Sequence, residues 1–179
     1  DEHPKDTSIQ SLNELPSVFK KNGTVTAGNS SGINDGAAAL ILATESEVVK
    51  SKLHPKAKIL GYSHSGVRPE VMGVGPIPAV KKLCKKLNFD LEKFDVIESN
   101  EAFAAQACAV NAGLKLNTEK VNPNGGAIAL GHPVGATGAI LCVKLIHELI
   151  RINGKYGLIT MCIGGGQGIA IAIENMQLT

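Results

Sequence analysis

Residues 102–112 read AFAAQACAVNA, a run that fits a helix apolar on almost every side. Such a helix has to be covered all round, and its alanines let neighbouring elements come close. A short strand, Phe94–Ile97, leads into it, and Lys120–Asn122 reads as another short strand after it. A glycine-rich loop then precedes a helix from about Ala136 to Arg151, with Ile140, Val143, Ile146 and Ile150 on one face. The chain closes on two apolar runs, Tyr156–Cys162 and Gly168–Glu174, joined by glycines, the pattern of an antiparallel hairpin.

Upstream the same alternation holds. Pro76 opens a helix whose apolar residues Ile77, Val80, Leu83, Cys84 and Leu87 keep helical spacing, and proline suits its first turn. Ala57–His64 reads as a strand and Glu45–Leu53 as a short charged helix. Ala37–Ala43 is a continuous small-apolar run, which predicts a strand buried on both faces, and Thr24–Thr26 is a brief β-branched run. Residues 1–23 are polar, carry Pro4 and Pro16, and read as a loop region leading into a domain over residues 24–179. Strands alternating with helices, ending in a hairpin, give an α/β fold with a mixed sheet.

The chain has 179 residues, enough for one domain with a real core. Its first residue is Asp1 rather than methionine, which suggests a piece of a longer protein. Net charge is +2 and aromatic residues make up 3%, which argues against nucleic acid as a partner. Lys81, Lys82, Lys85 and Lys86 read as a solvated helix face. No apolar run reaches membrane-spanning length, and no membrane partner is expected. The cysteines, Cys84, Cys108, Cys142 and Cys162, form no C-x-x-C pair and no zinc spacing. All four sit in apolar sequence, as reduced core cysteines do, so the expected setting is a reducing compartment, cytoplasmic or organellar.

Three loops at strand ends carry candidate chemistry. Asn100 lies in Ser99-Asn100-Glu101-Ala102-Phe103, where it serves as readily as a helix cap as a site residue. His132 lies in GHPVGATG, residues 131–138, held between Gly131 and Pro133; that loop lacks the lysine of a P-loop, and the histidine could equally be structural. Cys162 precedes Gly164-Gly165-Gly166; alone it reads as core, but the glycines bare backbone N–H groups and let a substrate reach a thiol. An amide, an imidazole, a thiol and free backbone donors suit thioester chemistry, provided a neighbouring imidazole lowers the thiol's pKa.

Asn100-Glu101-Ala102-Phe103, Gly131-His132-Pro133 and Cys162-Ile163-Gly164, in that order, resemble the C-terminal motifs of the thiolase family. NGTVTAGNSSGINDGAAA, residues 22–39, resembles the family's segment opening the C-terminal domain. The resemblance covers nearly the whole chain and implies a thiolase-like C-terminal domain, with a mixed five-stranded sheet and helices on both faces. It implies that Cys162 is an acid/base cysteine, that His132 activates a nucleophilic cysteine and donates to a thioester oxygen, and that Asn100 positions an oxyanion-hole water. The Gly164 N–H would serve a second oxyanion hole. Ser31, Phe19, Ser11, Ala102, Phe103 and Met72 are implied in binding coenzyme A and the acyl group, with Ser31 on the pantetheine, Phe19 and Ala102 along the tunnel, and Ser11 toward the adenine. Coenzyme A thioesters are implied as substrates, with no metal or redox cofactor.

Met72 and the residues after Asn100 resemble biosynthetic short-chain members, which implies acetyl-CoA C-acetyltransferase chemistry on acetyl-CoA and acetoacetyl-CoA. A degradative thiolase of longer chains and a non-catalytic acyl-CoA or lipid-binding module on the same fold are the alternatives. One departure is large: nothing here matches the acyl-accepting cysteine of the family's N-terminal half. A second is Pro4, where relatives often carry a basic residue. The chain is therefore expected to bind a missing N-terminal half, which would also cover the helix at 102–112, and the whole to form dimers or tetramers.

Overall fold

The computed structural model describes residues 6–178. Pro4, and with it the departure noted above, lies outside them. The elements run α1 (Ile9–Asn13), α2 (Glu45–Lys50), β1 (Ala57–Gly66), α3 (Pro76–Leu87), β2 (Val96–Ser99), α4 (Ala104–Leu114), α5 (Ala127–Leu130), α6 (Thr137–Arg151), β3 (Tyr156–Ile163) and β4 (Gln167–Asn175). One sheet of four strands has the order β1-β4-β3-β2. The pair β2/β3 is parallel, while β3/β4 and β4/β1 are antiparallel. The expected terminal hairpin is present and turns on Gly164–Gly166.

Sheet residues split by side as the pleat requires. Ile97, Leu158, Ala170 and Ala172 pack with Val80 and Leu83 of α3 and Val110 and Leu114 of α4. Val96, Ile159 and Ile173 pack with Leu141, Leu145 and Leu149 of α6. Helices thus lie on both faces. Glycine is required where α3 meets the hairpin: a Cβ on Gly168 would fall 2.1 Å from the Gly75 backbone, and one on Gly75 would fall 2.4 Å from the Gln167 carbonyl. This close approach ties the start of α3 to the turn beside Cys162.

The sheet has four strands rather than five. Lys120–Asn122 makes a single bridge, Ile97 to Val121. Asn122 takes φ 49°, leaving the extended region, and Pro123 has no N–H to continue a ladder. The Asn122 side chain takes over the next rung: its Oδ1 accepts from Ser99 N–H (2.8 Å) and its Nδ2 donates to the Ser99 carbonyl (2.8 Å).

Ala37–Ala43 is no strand, and neither is Thr24–Thr26. Residues 37–43 take no regular secondary structure and pair with no strand, Ile41 is 98% exposed and Leu42 76%. A strand buried on both faces needs a neighbour on each edge and a layer on each side, and residues 6–178 contain none of these for it. The helix read at 102–112 starts two residues later and is covered on one side only. Gln106, Val110 and Leu114 are buried, while Ala105, Cys108, Ala109 and Ala112 face outward. Cys108 is therefore exposed, unlike the core cysteine expected.

Candidate functional site

Asn100 follows the last residue of β2, and its N–H donates to the Thr160 carbonyl on β3 (3.0 Å). It lies at the same end of the sheet as Cys162, two residues beyond Thr160. Its side chain is 1% exposed and does not cap α4. That helix takes Phe103 as its N-cap, with no side-chain cap there, and the Gln106 side chain accepts from Ala102 N–H instead (3.2 Å). The Asn100 amide turns the other way, and Nδ2 meets His132 Nε2 at 3.3 Å. Its Oδ1 is buried without a partner among the described residues.

His132 is gripped from three sides. Its N–H donates to Asn34 Oδ1 (3.0 Å), which draws the segment Ile33–Asn34 against the histidine loop. Gly131 takes φ 100°, and a Cβ there would strike the Asn34 side chain at 2.6 Å, so the grip requires glycine. The ring's other nitrogen, Nδ1, lies 2.6 Å from Thr137 Oγ1 at the first turn of α6. Burial alone pushes the His132 imidazole below its usual range, so the ring is neutral at pH 7.

Cys162 is buried near the end of β3, paired with Gly168. Burial pushes its thiol up, with a backbone hydrogen bond pulling it part of the way back. This corrects the expectation of a thiol lowered by a neighbouring imidazole, because no imidazole contributes and desolvation dominates. Gly164 and Gly165 stand open, with no atom within 4 Å of where a Cβ would sit.

Of the residues assigned to the coenzyme, Ser31, Phe19, Ala102 and Phe103 lie together, while Met72 and Ser11 stand apart from them. Ser31 N–H donates to the Ala102 carbonyl (2.9 Å), and Ser30 bridges to Phe103. Phe19 stands edge-on to Phe103, with ring centroids 6.4 Å apart, and is 75% exposed. Met72 lies in the turn Pro69–Val74, where neighbouring Gly73 abuts the Gln106 side chain of α4. Ser11, on exposed α1, bonds within its own turn to Ser8 among the described residues; Leu12 and Leu15 pack against Gly28.

Several residues that position the site were not singled out in the sequence. Asn34 and Thr137 hold His132. Asn122 holds Ser99 and donates to Glu101 Oε1 (3.0 Å), and Ile128 N–H donates to the other Glu101 oxygen (3.3 Å). Behind them Lys144 of α6 donates to Glu98 Oε2 (2.8 Å) and to the Gly125 carbonyl (2.7 Å). The one available signal was Thr137, five residues past His132 in the same loop.

Among the described residues no helix is long and apolar enough to cross a membrane, and no cluster of three or more His, Cys, Asp or Glu is placed to hold a metal.

Comparison with known proteins identifies the family and the fold. The thiolase C-terminal domain matches residues 53–175 and the thiolase N-terminal domain residues 1–46. A beta-ketothiolase of Cupriavidus necator is 53% identical over 178 residues, covering 98% of this chain and 45% of the relative. The mitochondrial 3-ketoacyl-CoA thiolase of Homo sapiens is 51% identical over 176 residues, covering 98% and 44%. The crystal structure of the Bacillus anthracis acetyl-CoA acetyltransferase superposes with a TM-score of 0.95 at 49% identity, covering 98% of this chain and 45% of that one. The human mitochondrial 3-ketoacyl-CoA thiolase in complex with CoA superposes at 0.90 with 46% identity over the same shares. The chain thus spans a little under half the length of the relatives it matches, and it belongs to the thiolase family.

Proposed function

We propose that this chain is the C-terminal part of an acyltransferase that makes or breaks the C2–C3 bond of a 3-ketoacyl-CoA. The specific reaction is condensation of two acetyl-CoA to acetoacetyl-CoA and CoA, or its reverse, thiolysis. The observation that carries this reading is the Asn100–His132 pair at 3.3 Å, at the sheet end where Cys162 and open glycines also lie. A neutral imidazole there can take the proton of a thiol, and Asn100 can hold the water that steadies a thioester oxyanion.

In thiolysis the nucleophilic thiolate, supplied from outside this chain, adds to C3. The C2–C3 bond breaks and its electrons pass to the enolate of acetyl-CoA, which takes a proton from the Cys162 thiol at C2. A raised thiol pKa supports this role, because the group starts protonated. Incoming CoA then gives its thiol proton to the Cys162 thiolate and displaces the acyl group from the nucleophile. Condensation runs the same steps backward. The space beside Gly164 is open, with no atom within 4 Å of where a Cβ would sit, and its backbone N–H is assigned to the enolate oxygen. Ser31, Phe19, Ala102 and Phe103 form a wall for the pantetheine arm, with Met72 toward the acyl end and Ser11 toward the adenine. No metal or redox group takes part.

The division of labour supports a partner. Residues 1–46 match the N-terminal domain of the family, and we place them with that unit. The apolar Ile33, Ile41 and Leu42 then pack against the rest of the unit, and the whole assembles as a dimer or tetramer. A reducing compartment, cytoplasmic or organellar, suits a working thiol pair.

Mass spectrometry of the full-length parent after incubation with acetyl-CoA tests this. The acetyl group should appear on a cysteine outside this chain. Cys162→Ala should keep that acetylation while lowering turnover by about 10²- to 10⁴-fold. Unchanged turnover in Cys162→Ala would sink the assignment, and CoA binding with no turnover by the parent would identify a non-catalytic acyl-CoA-binding module.

A further inference from the structure

We propose that Thr137 is a positioning residue that fixes the tautomer of His132, leaving Nε2 as the unprotonated nitrogen that faces Asn100 and the thioester site. The inference rests on the functional reading above and deepens it.

The argument is one of proton counting. Thr137 Oγ1 lies 2.9 Å from the Pro133 carbonyl oxygen and 2.6 Å from His132 Nδ1. A carbonyl can only accept, so the single hydroxyl proton points to Pro133. With its proton spent, Oγ1 meets Nδ1 as an acceptor, and Nδ1 carries the ring's N–H. A neutral imidazole has one N–H, so Nε2 is a lone pair. It faces Asn100 Nδ2, a donor, at 3.3 Å. All three contacts then have matched polarity.

The opposite polarity fails twice. A hydroxyl donating to Nδ1 sets Oγ1 and the Pro133 carbonyl, two acceptors, 2.9 Å apart. It also turns a ring N–H against the Asn100 amino group. Inverting the Asn100 amide mends the second contact and leaves the first. Thr137 is 3% exposed, so water does not compete for its hydroxyl. Burial is the cause that lowers the imidazole, so among the described residues these uncharged partners select the tautomer.

The consequence is an order of events at one atom. Neutral His132 cannot donate from Nε2. It first takes the proton of the nucleophilic thiol there, forming thiolate and imidazolium. Only then does it hold an Nε2–H to give the thioester oxygen. Thiolate formation and assembly of that oxyanion hole become one step.

The test uses the full-length parent, with Thr137→Ser keeping the hydroxyl and Thr137→Val removing it. Thr137→Val should lower kcat for acetoacetyl-CoA thiolysis by about 10- to 100-fold, part of the general-base contribution of His132. KM should stay within about threefold, and Thr137→Ser should recover most of kcat. In a ¹⁵N-histidine spectrum at pH 8, the His132 signal, identified by its loss in His132→Gln, should report Nδ1–H in the wild type and Thr137→Ser but a mixture in Thr137→Val. A wild-type Nε2–H signal, or Thr137→Val within twofold of wild-type kcat, overturns the proposal. If the parent turns over neither acetyl-CoA nor acetoacetyl-CoA, the functional reading falls, and the nitrogen spectrum still decides the tautomer. Should Thr137→Val not fold, the wild-type spectrum decides alone.

Discussion

A neutral histidine held among uncharged partners loses its function when it gains a proton. Burial lowers His132 below the ordinary value near 6.5, so it stays a free base at pH values where an exposed histidine is half charged. The acid limb of kcat for the full-length protein should therefore fall below that value, and His132→Gln should lower kcat by about 10²- to 10⁴-fold. The same shift has a sign for stability. Between the ordinary value and the lower folded one, the unfolded chain binds the extra proton. Stability contributed by His132 should then be present above the ordinary value and be lost as pH falls through that window. Urea titrations at several pH values, wild type against His132→Gln, measure it. A wild-type loss no larger than the variant's would remove His132 from the account. Of these details, the sequence offered the three site residues but not their partners. Asn100 stood where a cap belongs, and only the structure has Gln106 doing that work while the amide turns to His132. Asn34 reaches His132 across 98 positions, a separation no local pattern encodes.

Among the elements, those bound to local periodicity were legible. The hairpin and α3 lie where alternation and helical spacing put them, because their apolar faces meet partners within the chain. In α6 the stripe Ile140, Val143, Ile146 and Ile150 is only partly buried, and Leu141, Leu145 and Leu149 face the sheet. Both stripes are apolar, so periodicity found the helix and could not choose its inner face. The polar seam joining α6 to β2 was not legible at all. Glu98 is fully buried, and its carboxyl is pushed up by desolvation and drawn back by Lys144. Lys144→Met removes the counter-charge and should cost about 3 kcal/mol, whereas Glu98→Leu/Lys144→Met should cost less, because no buried charge is stranded. Chemical denaturation of the three proteins tests this, and a double variant at least as unstable as the single would mean the pair itself stabilises the fold.

Across the whole molecule, the apolar residues that stay wet fall into a pattern. Ile33, Ile41 and Leu42 lie along one stretch without helix or strand, and Ala105, Ala109 and Ala112 along one side of α4. The sequence reading anticipates an outside cover for the helix at 102–112, but takes residues 37–43 for a buried strand of this domain. Hydrogen exchange separates the two situations. In the isolated chain the amides of residues 37–43 should exchange at nearly unprotected rates, and in the full-length parent they should be protected by at least about 100-fold. Equal exchange in both would mean this stretch is not a strand of the assembled protein.

The side-chain rung at Asn122 has a consequence for how the chain meets its own copies. It occupies the outer edge of β2, and Pro123 denies the next donor. The other edge, β1, is broken by a bulge between Ile59 and Gly61 and carries Lys58. Both margins of the sheet are thereby defended against edge-to-edge stacking. Residues 37–43 have no such guard, being exposed at Leu40, Ile41 and Leu42, uncharged and outside any helix or strand. Separated from its parent, the chain would seed aggregation there rather than at its sheet, and a single charge at Ile41 would act as the gatekeeper.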